Sequence, residues 1–153
     1  RRGEVRVEPL PLVWAASLFL VAALYWWSLW DLRAAEWRFP LFVYMLLAPT
    51  LFHVATSLLV PAEAVTAEFD RVRVPFMVVM AAFSVVVMLD GWVVGTEPAW
   101  TVYRPVQLWT IVLYGAGAVL GGARAQRVVA GLVLATYVVA GFFFRFLPGA
   151  FGS

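Results

Sequence analysis

The sequence predicts an all-α polytopic transmembrane bundle, a single helical domain over residues 1–153. Three observations carry this. The chain is 64% hydrophobic and only 13% charged, against about 25% charged residues in a soluble domain. Its mean hydropathy is +0.90. Five apolar segments are each long enough to cross a hydrocarbon core of about 30 Å, which takes roughly 20 helical residues because lipid offers no partner to backbone N–H and C=O groups.

The first segment, 10–30, follows Pro9 and closes on a Tyr25-Trp26-Trp27 run and Trp30. The second, 39–60, opens at Pro40 and stops at Pro61; Pro49 lies inside it, removing one backbone hydrogen bond and freeing a carbonyl near residue 45 for Thr50 or a water. The third, 75–94, starts at Pro75, and the fourth, 105–121, at Pro105. The fifth, 128–147, ends before Pro148. Prolines at segment ends remove no interior helix bond. Residue 1 is not Met and no cleavable signal pattern follows it, so natural sequence is expected upstream, with room for one further span.

Residues 61–74 form the longest loop on the predicted cytoplasmic side. Glu63 near its start and Arg71 and Arg73 at its end complement a helix dipole, and Val65, Phe69 and Val72 recur at helical spacing. A short amphipathic helix on the membrane surface is one reading and a polar connection the other. Arginines set the orientation. Seven (Arg1, Arg2, Arg6, Arg71, Arg73, Arg124, Arg127) flank one side and four (Arg33, Arg38, Arg104, Arg145) the other, placing residue 1 in the cytoplasm and the C-terminus in the periplasm.

Tyr25, Trp26, Trp27, Trp30, Trp37, Trp92, Trp100, Tyr103 and Trp109 cluster at the predicted outer face. They read as an interfacial belt, or as an aromatic platform for a partner subunit, lipid, quinone or pigment. The net charge of +2 gives no basic face for nucleic acid. With no cysteine and one histidine, thiol chemistry and a protein-only zinc site are excluded.

The runs Tyr25-Trp26-Trp27-Ser28-Leu29-Trp30-Asp31-Leu32-Arg33, Trp37-Arg38-Phe39, Leu46-Leu47-Ala48-Pro49 and Asp70-Arg71-Val72-Arg73-Val74-Pro75-Phe76 resemble a group of small, uncharacterised bacterial multi-pass inner-membrane proteins. The resemblance implies a bacterial inner-membrane location and an additional upstream helix. It brings no activity and no functional residue.

Few side chains could carry chemistry. His53, toward the cytoplasmic half of the second segment, is a candidate axial ligand to a pigment or haem; the plainer reading is a bundle-facing imidazole bonded to Thr50 or Ser57. Asp90, in the outer half of the third segment, must pair or keep its proton, with Arg104 or Arg145 as the available partner. Gly117 and Gly121 form a G-x-x-x-G for close packing of the fourth segment on the fifth or, in the second reading, of one copy of the chain on another. No nucleotide loop, metalloprotease motif, nucleophile elbow or catalytic triad is present in the sequence. The leading expectation is therefore a non-catalytic accessory or scaffold subunit of a larger membrane complex, electron-transfer or light-harvesting assemblies among them. The alternatives are a small solute or ion transporter or channel using His53 and Asp90, and a membrane enzyme acting on lipid or quinone.

Overall fold

The computed structural model describes the backbone of residues 9–29, 36–59, 69–94 and 103–145. These residues are almost wholly α-helical, with no strand among them. The helices are α1 (Pro9–Leu29), α2 (Phe39–Met45), α3 (Leu47–Leu59), α4 (Phe69–Val94), α5 (Tyr103–Val119) and α6 (Ala123–Arg145). Four stretches are long and apolar enough to span a membrane: Leu10–Trp27, Phe39–Leu59 (α2 and α3 together), Phe69–Asp90 and Ala123–Phe142. The expected fourth segment appears as α5, at 17 residues the shortest apart from α2 and α3.

Around the bundle α3 packs on α4, α4 on α5, α5 on α6 and α6 on α1. Aromatic side chains join α1 to the far side. Trp14, 1% exposed, lies edge-on to Phe76 at 5.1 Å and stacks on Phe69 at 6.5 Å and Tyr114 at 6.3 Å. Tyr25 meets Phe83 edge-on at 6.0 Å. Such pairs add about 0.5–1.5 kcal/mol each beyond simple burial.

Helix α4 begins earlier than the third segment, so Pro75 sits inside it rather than at its start. Tertiary contacts hold these extra turns. Phe69 packs on Trp14 and Phe76, and Arg73 reaches the C-terminal end of α5, where its Nη1 donates to the carbonyls of Gly117 (2.9 Å), Ala118 (2.8 Å) and Leu120 (3.0 Å). From α6, Gln126 Nε2 donates to Gly117 O at 2.9 Å and Leu120 O at 2.6 Å. A helix leaves its last carbonyls without intrahelical donors; here side chains of the two flanking helices supply them. Of the 61–74 loop, residues 69–74 are thus the opening of α4, and 61–68 lie outside the described residues.

Helix α6 likewise starts at Ala123, before the predicted 128, because the turn after α5 closes within Leu120–Gly122. Gly122 has φ +93°, a left-handed conformation that glycine adopts without steric cost. The two glycines of the G-x-x-x-G differ in their surroundings. A Cβ on Gly117 would meet Met77 Sδ and Cε at 2.9 Å and Val129 Cγ1 at 3.2 Å, whereas Gly121 lies past the end of α5 with nothing within 4 Å. Gly117 therefore brings α5 close to both α4 and α6, and Gly121 serves the turn.

Two outcomes follow for the purified protein in detergent. Replacing Arg73 and Gln126 together by Leu lowers its stability to denaturation by about 2–4 kcal/mol, since each change removes charge-assisted or buried hydrogen bonds. Gly117→Val is strongly destabilising and Gly121→Ala nearly neutral in the same assay; equal effects would contradict the packing.

Candidate functional site

The second span breaks where Pro49 denies a donor to the carbonyl of Met45. Leu46 is a turn residue between α2 and α3, and its N–H is shared between Phe42 O (3.3 Å) and Val43 O (3.2 Å). The freed carbonyl is taken by neither Thr50 nor a backbone group. Tyr25 of α1 donates its hydroxyl to Met45 O at 3.2 Å, while Thr50 Oγ1 turns back to Leu46 O at 2.7 Å. On the other flank Tyr44 donates to Val86 O of α4 at 2.7 Å. Two phenols thus fasten the broken span to helices on either side.

Asp90 lies beside these phenols, within the electrostatic reach of both Tyr44 and Tyr25. The expected Asp90–Arg104 bridge is not formed: Asp90 Oδ1 is buried without a hydrogen-bond partner, and the Arg104 guanidinium lies over the Trp92 ring, 4.6 Å from its centroid. Geometry explains this. Arg104, in the first turn of α5, has an electron-rich indole face beside it at the C-terminal end of α4. The side chain of Arg145 lies outside the described residues.

His53 does not face the bundle. Helix α3 packs on α4 through the face carrying Ala48 and Ala55, both fully buried, which turns His53 to the opposite, exposed side. Its backbone carbonyl accepts from Thr56 Oγ1 and Ser57 Oγ, each at 2.8 Å; no described side chain bonds its imidazole. The expected Ser57–imidazole bond is replaced by this backbone bond because a serine hydroxyl reaches the i−4 carbonyl more readily than a side chain pointing outward. Nor are His53 and Asp90 brought together: one projects outward from α3, the other sits against Tyr44 and Tyr25.

The aromatic residues are distributed over several seams. Trp27 borders α6, Trp92 meets Arg104 of α5, and Trp109 Nε1 donates to Thr136 Oγ1 of α6 at 3.2 Å. Trp26 and Trp37 are exposed, and Trp30 and Trp100 lie outside the described residues.

A buried polar set was not foreseen from the sequence. Ser84 of α4 lies 3.4 Å from Thr110 Oγ1 of α5, and Tyr137 of α6 and Tyr114 of α5 adjoin them. Gln107 Oε1 is buried without a hydrogen-bond partner, while the Tyr137 hydroxyl lies among those of Tyr114, Ser84 and Thr110. The signal available was scarcity: Gln107 and Gln126 are the only side-chain amides in the chain, and both prove to lie at helix seams. Among the described residues no three His, Cys, Asp or Glu side chains gather as a metal site would require. Comparison with protein families, with curated proteins and with solved structures finds no match.

Tyr25→Phe is expected to destabilise the fold by about 1 kcal/mol, the worth of one interhelical hydrogen bond in a membrane. In a Pro49→Ala background, where an N–H at residue 49 can serve Met45 O, the same change costs less. A double-mutant cycle measures the difference, and simple additivity would refute the link between the proline and the phenol.

Proposed function

We propose that this chain is a non-catalytic integral membrane subunit that packs laterally against other membrane proteins, with α2 and α3 as its docking side. One observation carries the reading. His53 projects from the exposed face of the span that its own bundle covers least, flanked by Leu46, Leu47 and Val54, each more than 40% exposed. An unpaired polar group in hydrocarbon costs roughly 2 kcal/mol or more, and polar groups in membranes usually act between helices. A neighbouring helix or a cofactor held by one would give the imidazole its partner.

In this reading α5 is a fifth span. Its C-terminal end is bonded to Arg73 near the start of α4, and Arg104 near its beginning meets Trp92 near the end of α4, so the two helices run antiparallel over matching depth. The bilayer is a bacterial inner membrane, with Arg71, Arg73, Arg124 and Arg127 on its cytoplasmic side.

The absence of cysteine makes single-cysteine tests direct. With His53→Cys in native membranes, a bifunctional thiol-to-amine crosslinker is expected to yield a discrete heteromeric product, and mild extraction a particle much larger than 17.0 kDa. A particle holding only this chain would refute the subunit reading and favour transport. For orientation, a membrane-impermeant thiol reagent added to intact cells labels Glu36→Cys but not Arg124→Cys; the reverse pattern overturns the assignment.

A further inference from the structure

The charges at the two ends of the bundle are met differently. At the end predicted to lie outside, Arg38 pairs with Glu36 at 3.2 Å and Arg104 lies over the Trp92 ring. At the other end Arg71, Arg124 and Arg127 are exposed, and no carboxylate among the described residues meets any of them. Arg127 Nε returns only to the carbonyl of Ala123, at 3.2 Å. Asp70, the described acid at this end, lies 3.8 Å from Arg73 Nε instead.

These uncompensated guanidiniums share one depth. Arg73 of α4 and Gln126 of α6 both donate to Gly117 O and Leu120 O, which holds the starts of α4 and α6 level with the end of α5. Arg71 and Arg124 are each two residues from those donors, about 3 Å along the helix axis, and Arg127 is next to one of them. Two residues are also about 200° of helical turn, so Arg71 and Arg124 point away from the α5 corner, toward the outside of the bundle. Beneath each lies exposed apolar surface on the same face of its helix: Val74 and Val78 below Arg71, Val128 and Leu132 below Arg124.

We propose that this rim holds anionic phospholipids, their phosphates on Arg71, Arg124 and Arg127 and their acyl chains along the valine and leucine stripes below. A guanidinium presents a fork of donors that fits phosphate oxygens. Each basic side chain at a membrane surface favours an anionic head group by about fivefold. A zwitterionic lipid brings its own cation to the phosphate and gains less. The divergent arrangement suits separate lipids around the rim, whereas a free phosphate ion calls for donors converging on one point.

The test uses the full chain in phosphatidylcholine vesicles and compares phosphatidylglycerol with phosphatidylcholine, each spin-labelled on an acyl chain, by electron paramagnetic resonance of the motionally restricted lipid. Phosphatidylglycerol is expected to associate about twice as strongly, a fivefold preference beside the arginines being diluted over the whole lipid shell. Arg71→Gln, Arg124→Gln and Arg127→Gln together remove the preference, and Arg38→Gln leaves it unchanged. High salt lowers the wild-type preference, because the guanidiniums are exposed. Equal association of the two lipids with the wild-type chain, or a preference that survives the triple substitution, overturns the proposal. So does a preference abolished by inorganic phosphate but not by sodium chloride of equal ionic strength, which would make the rim a site for a free anion. If the triple variant fails to fold, the salt comparison decides alone: a preference unmoved by high salt excludes the arginines. Symmetric vesicles offer the lipid at both ends of the bundle, so the result depends on neither the orientation nor the lateral-partner reading.

Discussion

A helix that ends or breaks leaves carbonyls without intrahelical donors, and this bundle is organised around supplying them. At Pro49 the donor is a phenol from α1; at the end of α5 the donors are a guanidinium from α4 and an amide from α6. Each of these bonds joins one helix to another. Because the acceptor positions are set by where a helix stops, the bonds also fix the height of one helix against the next. Gly117 contributes to the same corner from the packing side, since its missing side chain leaves room for Met77 and Val129 beneath the carbonyl that Arg73 and Gln126 share.

The rest of the core is aromatic and aliphatic. Trp14 connects α1 to α4 and α5 through rings at 5.1 to 6.5 Å, bridging helices that otherwise make little backbone contact. Large rings fill the width between helices whose backbones stay apart, while Gly117 and Gly141 mark where neighbouring helices come close. The bundle thus combines one wide seam, filled by rings, with narrow ones held by glycine.

For function, the division between inward and outward polar groups matters most. Asp90, Tyr25, Tyr44 and the hydroxyls around Ser84 face other helices and have structural partners or neighbours. His53, by contrast, faces away from its own bundle, which is why the lateral-partner reading rests on it.

The composition and the 20-residue apolar runs were sufficient to define an all-helical membrane architecture, because lipid forces every backbone group in a span to bond internally and so forces the helix. Proline positions located the break in the second span and the freed carbonyl near residue 45, since the missing N–H is a property of the residue itself. What side chains did about it was decided only in three dimensions. That Tyr25 rather than Thr50 answers Met45, that Arg104 turns to Trp92 rather than Asp90, and that His53 faces outward all depend on how helices rotate and settle against one another. In a soluble helix the apolar stripe reveals that rotation, but here both faces are apolar, one for the core and one for lipid, and the sequence pattern no longer distinguishes them.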